Sequence, residues 1–444
     1  MLIKSKEEKK IINELTDKKI ALLGLGLDNQ AFLNWLREKK IKAEITICDK
    51  RDKSSLPEIK DNGQIYYQLG SSFNKNLKNF DLLFRSPGWP LNCPGILEAK
   101  RTKKTIITSS LNLFFRLCPS KNIIGVTGSK GKGTTASLIY KIISDAKKKV
   151  WLGGNIGVSP FSFLKKIKKN DYVVLELSSF QLEDLKYSPA YSVITNLFKE
   201  HLAPADPNNP NYHPSYNAYW QAKLQISKNS ENKYLIINEK LKSKIVKSKL
   251  KSKTYFFKAS PLPSKLIGDF NRENIGAAVA LSKILKIKES NYKKTIARFS
   301  NLEHRLELAT IKNGVKYFDN SFSTTPESTI LDLKSFREPI IQIAGGADKG
   351  ANFLPLAKEI KKQVKHLILL SGEGTIRLRK ELLSLNFPKE KLSEVDSMEK
   401  AIKIARLKSQ TGDVVLLSTA CASFGLFKNY KERGNLFKKY AQSV

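Results

Sequence analysis

The segment from Ile123 to Thr135, IIGVTGSKGKGTT, limits what this chain can fold into more than any other stretch. Ile123, Ile124 and Val126 read as a short buried strand. Ser137 to Ala146 reads as a helix, with Leu138, Ile139, Ile142, Ile143 and Ala146 on one face. Between them lie Gly128, Ser129, Lys130, Gly131, Lys132 and Gly133. A strand, a Gly-rich basic loop and a helix make a phosphate-binding loop. Glycines let backbone N–H groups close on phosphate oxygens, the helix N-terminus adds its dipole, and a lysine reaches the outer phosphates. The leading ligand is therefore a nucleoside triphosphate. The pattern departs from the usual one twice. Val126 stands where the first glycine is expected, with Gly125 one place early. Gly133 occupies the position of the Mg2+-binding hydroxyl, so Thr134 or Thr135 must supply it.

At 444 residues the chain has room for about three domains. Three segments alternate strands and helices. The first opens with a strand at Lys19–Leu23, a turn at Gly24–Gly26, a helix from about Asp28 to Lys40, and a strand at Glu44–Cys48 ending on Asp49, which is a βαβ unit. The second begins at the phosphate loop. The third holds strands at Val315–Phe318, Ile340–Ala344, His366–Leu370 and Val414–Ser418. The expected organisation is three α/β domains with mostly parallel sheets, at 1–120, 121–302 and 303–444. The Pro- and Asn-rich span Ala203–Tyr216 reads as a long loop with a functional role.

A formal charge of +37 raises nucleic acid or an anionic surface as a partner. The lysines are spread along the whole chain, in runs such as Lys147–Lys149, Lys165–Lys169 and Lys240–Lys253, and no known nucleic-acid-binding signature accompanies them. They read as a solvated coat, and no nucleic-acid partner is expected. No stretch reaches about 18 apolar residues, so no membrane insertion is expected. The start, MLIKSKEEKKIINEL, has no apolar signal core. Cys48, Cys93, Cys118 and Cys421 form no C-x-x-C pair, which fits reduced thiols in the cytoplasm and argues against structural zinc.

Two more polar groups fall just past predicted strands of the middle segment. Glu176 lies in the strand Tyr172–Leu177, which is followed by Ser178–Glu183. His201 follows the strand Ser192–Leu197. In a parallel sheet such strand ends share one edge, where ligands bind. A carboxylate and an imidazole beside a triphosphate loop suit Mg2+. The competing readings are a buried Glu176 paired with a lysine and a structural His201.

These strings together resemble the Mur ligases of bacterial cell-wall synthesis: GSKGKGTT, ELSSFQLE at Glu176–Glu183, Asn196 to His201, and Tyr219-Trp-Gln-Ala-Lys223-Leu. The likeness extends to His304-Arg305, the GGADKG loop at Gly345–Gly350, and LLSTACASFGLFKNYKERGNLF at Leu416–Phe437. It is strongest to members that add glutamate to UDP-N-acetylmuramoyl-L-alanine. The resemblance implies a Rossmann-like first domain for the UDP substrate, a central ATPase-type domain for ATP and Mg2+, and a Rossmann-like third domain for the amino acid. It implies an acyl-phosphate reaction in a cytoplasmic, monomeric enzyme of peptidoglycan precursor synthesis.

By that resemblance, Lys132, His201 and Lys223 would be catalytic, and Thr134, Glu176, His201 and Lys223 would hold metal. Lys223 matches a lysine that CO2 carbamylates, a reaction that needs a neutral amine. Asn271 and Arg305 would meet ATP. Gly26, Asp49, Ser86, Gly88 and Asn155 would border the UDP substrate. Gly24-Leu-Gly26 permits close backbone approach, and Asp49 can accept hydrogen bonds from a nucleoside. Asn29 replaces the third glycine of a dinucleotide fingerprint, which disfavours NAD. Thr324, Lys349, Ser423 and Tyr430 would bind glutamate. The family's Asp-Ser-Lys-Ala-Thr string is here Asn320-Ser321-Phe322-Ser323-Thr324, and Phe270 stands where a histidine is common. The loss of the lysine to Phe322 leans toward relatives that add L-glutamate, and the overall likeness toward D-glutamate. Folylpolyglutamate synthase shares the GKGTT loop but has no UDP-binding first domain.

Overall fold

The computed structural model describes residues 6–59, 65–202, 211–246, 248, 250–348 and 350–443. They form three α/β sheets. The first contains β1 (Lys19–Leu23), β2 (Glu44–Asp49), β3 (Ile65–Leu69), β4 (Leu82–Arg85) and β5 (Ile106–Thr108). Its order is β3-β2-β1-β4-β5, all parallel. The second holds β6 (Asn122–Thr127), β7 (Val150–Gly154), β8 (Tyr172–Glu176), β9 (Tyr191–Ile194), β10 (Tyr234–Asn238) and β11 (Lys253–Phe257). Its order is β11-β10-β9-β6-β8-β7, again all parallel.

The third sheet holds β12 (Glu307–Lys312), β13 (Val315–Asp319), β14 (Ile340–Gly345), β15 (Val364–Leu370), β16 (Leu392–Val395) and β17 (Val414–Leu417). Its order is β12-β13-β17-β14-β15-β16, with β12 antiparallel to β13 and the rest parallel. The central strands read as continuous apolar runs because helices cover both faces of a parallel sheet. β17, VVLL, is buried at every position.

The chain clusters into two compact units. One contains the first two sheets, the other the third sheet together with Asn271. The first two sheets share a core. Phe32 packs against Phe84 at 4.2 Å and Phe161 at 5.4 Å between ring centroids, so an aromatic from the first segment sits among those of the second. Beside it the buried Arg85, at the end of β4, donates to Asp184 at 2.9 Å and to the Phe180 carbonyl at 2.6 Å. The chain just after β8 is thereby fastened to the strand that leads into Ser86.

The helix after the phosphate loop runs Lys132–Asp145, five residues earlier than the sequence reading placed it. Gly133, Thr134 and Thr135 are poor helix formers in isolation, but all three are buried here in the first turn. Tertiary packing outweighs propensity at this point. In the span Ala203–Tyr216, residues 203–210 lie outside the described residues. Ser215 caps a helix at Tyr216–Leu224 by accepting from the Ala218 amide at 3.0 Å.

Candidate active site

In the second sheet, β6 lies between β9 and β8, so the loops after these three strands share one edge. The phosphate loop follows β6. Gly128 has φ of +148° and lies so close to β9 that a Cβ there would meet Thr195 Oγ1 at 1.9 Å. Only glycine suits it. The loop is braced from the end of β9. Asn196 Oδ1 accepts from the Lys130 amide at 2.8 Å, and its Nδ2 donates to the Lys130 carbonyl at 3.0 Å. Thr195 Oγ1 donates to the same carbonyl at 2.8 Å. Gly131, with φ of +78°, caps the helix without a side-chain hydrogen bond, so the first-turn amides remain a site for an anion. Lys132 Nζ folds back to the Ser129 carbonyl at 2.9 Å. Thr135 is fully buried, whereas Thr134 retains 8% exposure, which favours Thr134 as the hydroxyl for a cation.

Lys223, on the helix Tyr216–Leu224, is 1% exposed and donates to the Gly128 carbonyl at 2.8 Å. Burial drives its amine well below the ordinary lysine value. The nearby Lys132 charge pushes the same way, against the pull of Glu200 and Glu176. This environment favours the neutral amine. Glu176, at the end of β8, is buried, and Asn155 Nδ2 lies 3.4 Å from its Oε1.

Glu200 was not singled out in the sequence and proves central. Burial pulls its carboxyl up, but Lys130, Lys132, His201 and Lys223 together hold it down at about 2. Its Oε1 accepts from the Tyr219 hydroxyl at 2.6 Å, and Lys130 Nζ lies 3.8 Å from its Oε2. The Tyr219 oxygen is also 2.8 Å from Ser129 Oγ, which ties Glu200 to the phosphate loop. The only sequence signal was its place directly before His201.

His201 has φ of +58° and lies edge-on to Phe180 at 5.1 Å. Its surroundings lower its pKa, first by desolvation and then by the Lys223 and Lys132 charges, with Glu200 opposing. Since 44% of the side chain is exposed, water screens part of this effect, and the direction is what the site fixes.

Two carboxylates, an imidazole and a threonine hydroxyl on one edge make an oxygen-rich donor set. This suits Mg2+, which usually takes one or two carboxylates, phosphate oxygens and waters. The residues thus fit that ion. Among the described residues, a close group of potential ligand atoms also lies elsewhere, at His304, Glu307 and Asp319. It is already satisfied internally. His304 Nδ1 lies 2.6 Å from Asp319 Oδ2, and Glu307 accepts from the His304 amide and from Lys438.

On the first sheet, Gly24 (φ +80°) follows β1 and meets the loop after β4 so closely that a Cβ would lie 2.4 Å from Ser86 Oγ. A Cβ on Gly26 would meet nothing within 4 Å, and Gly88 and Asn155 are exposed. The glycines and Ser86 follow β1 and β4, between which the strand order of the first sheet reverses, whereas Asn155 follows β7 at the edge of the second sheet. Asp49 is different from expectation. Its Oδ2 accepts from the Leu25 amide and from Arg51 Nη2, both at 2.8 Å, and its Oδ1 from Arg51 Nε at 2.9 Å. Any ligand of this carboxylate would have to compete with Arg51. Asn29 is fully buried and donates to the Gly24 and Phe84 carbonyls at 2.9 and 3.0 Å, fastening the turn that a glycine would leave loose.

In the other unit, the loops after β13 and β17 carry the expected acceptor residues to one edge. Ser323 O accepts from the Ala420 amide at 3.1 Å, and Ala347 N donates to Ala422 O at 3.1 Å. Thr324 is half-buried beside these bonds, and Ser423 is buried. Lys349 lies outside the described residues. The Tyr430 carbonyl accepts from Ser321 Oγ at 2.7 Å. The Phe322 ring lies edge-on to Tyr430 at 5.1 Å and has the Arg305 guanidinium 3.6 Å above its face. Asn271 is buried, donating to the Ile267 carbonyl at 2.6 Å and accepting from Asn274 at 2.7 Å.

Comparison with known proteins finds domains of one family along the chain. A MurD-like Mur ligase N-terminal domain model matches residues 18–108, the Mur ligase middle domain 126–260, and the Mur ligase glutamate ligase domain 304–421. The chain belongs to the Mur ligase family. It is 36% identical to the UDP-N-acetylmuramoylalanine–D-glutamate ligase of Acetivibrio thermocellus, with 97% of each chain covered. The ligase of the same name from Clostridium tetani is also 36% identical, over 96% of this chain and 97% of that one. Among solved structures, the MurF ligase of Thermotoga maritima, in complex with ADP, has a TM-score of 0.60 at 16% identity, covering 97% of both chains. That likeness supports the three-domain fold of this Mur ligase. Among its described residues, no helix is long and apolar enough to cross a membrane.

Proposed function

We propose that this Mur ligase joins D-glutamate to UDP-N-acetylmuramoyl-L-alanine, with ATP consumed to ADP and phosphate, in peptidoglycan precursor synthesis. The observation that carries the reading is the buried Lys223 amine, bonded to the phosphate loop through Gly128 and in the field of Glu176 and Glu200. A neutral amine in that place suits carbamylation, which converts a cation into an oxygen ligand. Near-full-length likeness to relatives named for D-glutamate addition supports the acceptor.

The chain's residues divide the chemistry as follows. Residues 1–120 bind the UDP substrate through Gly26, Ser86, Gly88 and Asn155, with Asp49 behind Arg51. Residues 121–302 bind ATP through Gly128–Thr135, and residues 303–444 bind glutamate through Thr324, Lys349, Ser423 and Tyr430. The substrate carboxylate attacks the γ-phosphorus of ATP, the bond from that phosphorus to the β,γ-bridging oxygen breaks and ADP leaves, giving an acyl phosphate whose phosphate is the leaving group that a bare carboxylate lacks. Lys132 turns from the Ser129 carbonyl to neutralise charge on the transferring group. Mg2+, held by Thr134, Glu176, His201 and carbamylated Lys223, supplies further charge neutralisation when bound. The glutamate amine then attacks the acyl carbon, the C–O bond to phosphate breaks, and phosphate leaves. Exclusion of water protects the acyl phosphate. In this reading the enzyme acts as a cytoplasmic monomer.

A second reading, L-glutamate as acceptor, draws on Phe322. Its ring replaces a cation, which changes the charge balance at the acceptor site. The test is phosphate release with UDP-N-acetylmuramoyl-L-alanine, ATP, Mg2+ and each amino acid in turn. D-glutamate should support turnover and alanine should not, since it leaves the second carboxylate's partners unpaired. Turnover with L-glutamate alone would establish the second reading. Turnover with lysine or diaminopimelate but neither glutamate would leave only the ligase class.

A further inference from the structure

His213 is 1% exposed, and the chemistry above does not use it. It lies in the segment between His201 and the Lys223 helix, and it touches three parts of the site at once. Its backbone amide donates to the His201 carbonyl at 2.7 Å. Its Nε2 lies 2.9 Å from Ser179 Oγ, and its Nδ1 lies 3.0 Å from Glu183 Oε1. Its ring stacks on Phe180 at 4.7 Å with an interplanar angle of 2°, and lies 5.2 Å from the Tyr219 ring.

The partners fix the hydrogen-bond roles. A carboxylate only accepts, so Nδ1 carries a proton and donates to Glu183. In the neutral ring, Nε2 then accepts from the Ser179 hydroxyl. An apolar ring of the same size would fill the space on Phe180. The two nitrogens do something more. They anchor His213 to Ser179, the first residue of the short helix Ser179–Leu182 that follows β8, and to Glu183, its C-cap. Next to it, Asn211 Nδ2 donates to the Pro87 carbonyl at 2.7 Å, so the same segment also reaches the loop after β4.

His201 needs such a hold. Its φ of +58° lies in the left-handed region that side-chain-bearing residues occupy uncommonly. A residue persists there only where its surroundings over-determine it. The His213 amide supplies one constraint on the His201 carbonyl, and the His213 ring fixes that amide in turn.

We propose that His213 is a positioning residue: it sets His201 and the turn after Glu176 in one register, and thereby sets the affinity of the site for a divalent cation. This inference rests on the reading of Glu176 and His201 as metal-holding residues. Groups that orient metal-holding side chains typically change metal affinity by about 10–100-fold when removed.

The test titrates the full-length chain with Mn2+ in the presence of a non-hydrolysable ATP analogue, following free Mn2+ by electron paramagnetic resonance. His213→Phe keeps the stack on Phe180 and removes both ring hydrogen bonds. His213→Gln keeps a donor and an acceptor on a floppier stem and serves if the Phe variant does not fold. Both should weaken Mn2+ binding by about tenfold or more, the Gln variant less than the Phe variant, and raised Mg2+ should restore most of kcat. A folded variant that binds Mn2+ within about twofold of the wild type would overturn the proposal, making His213 a packing residue. The titration needs neither acceptor nor turnover. A wild-type chain that titrates with Mn2+ yet makes no product therefore counts against the acceptor reading and not against His213.

Discussion

Lys223 Nζ stands 2.8 Å from the Gly128 carbonyl oxygen, so an amine removed from water is bonded to the first turn of the phosphate loop. Lys223→Ala should lose activity by about a hundredfold or more, the scale of removing a preorganised electrostatic group. Bicarbonate should not rescue it, whereas acetate should restore part of the rate by supplying an oxygen ligand. Undiminished wild-type turnover after exhaustive CO2 removal, together with an active Lys223→Ala, would reduce this lysine to a packing role.

Lys132→Ala should abolish ATP turnover, again by about a hundredfold or more, with the fold intact. Its ammonium donates to the Ser129 carbonyl at 2.9 Å, within the loop itself. Circular dichroism and phosphate release on the same preparation decide the point. A folded variant with near-normal turnover would remove the phosphate-loop assignment.

Gly128→Ala is the steric counterpart. A Cβ would stand 1.9 Å from Thr195 Oγ1, at φ of +148°. The loop must shift, at a cost of about 1–3 kcal/mol. Nucleotide affinity should fall by tenfold or more, read by equilibrium binding of a fluorescent ATP analogue. Wild-type affinity would show that the loop tolerates a side chain there.

Asp49 gives a pH dependence. Burial pulls its carboxyl up, but the Arg51 side chain, the Arg51 amide and the Leu25 amide hold it below the usual value. A depressed carboxyl stabilises the fold above its unfolded pKa of about 3.9. That contribution is lost as pH falls through the lower folded value. Asp49→Asn should therefore cost about 1–3 kcal/mol at pH 7, with the gap to wild type narrowing as pH drops below about 4. Urea midpoints at several pH values test this, and a gap that widens in acid contradicts it.

Arg433 has no exposed surface, and burial pushes its guanidinium down to about 10. It donates to Ser321 Oγ at 3.0 Å, the Ser321 carbonyl at 2.8 Å and the Cys421 carbonyl at 3.2 Å, so it binds the loops after β13 and β17 together. Lysine cannot reproduce that fork. Arg433→Lys should cost about 1.5–3 kcal/mol and raise KM for glutamate more than KM for ATP. Unchanged stability in a denaturant melt would argue that the fork is dispensable.

What the sequence made legible follows from how local each signal is. The strand at Lys19–Leu23 matches residue for residue, because a short apolar run between a charge pair and a glycine turn leaves one solution. The phosphate loop was readable because its glycines answer a local backbone demand. Its helix start was not, since the packing that buries Gly133–Thr135 comes from elsewhere in the sheet. Glu200 and His213 were missed for the same reason. Their importance lies in partners such as Tyr219, Ser179 and Glu183, which spacing along the chain does not reveal. Asp49 was placed correctly on its strand, but its pairing with Arg51 two residues on depends on a turn that residue types alone leave open.

The bracing of the phosphate loop by Thr195 and Asn196 bears on how the protein is made. The bonds to Lys130 span 65 and 66 residues of chain. At roughly 5–20 residues per second of synthesis, several seconds separate the appearance of GSKGKGTT from that of its braces. Until β9 has emerged and docked beside β6, a nascent chain carries the whole motif and lacks its supports. Competence to bind ATP is therefore a late event in the birth of this domain, and truncations ending before Asn196 should bind no nucleotide.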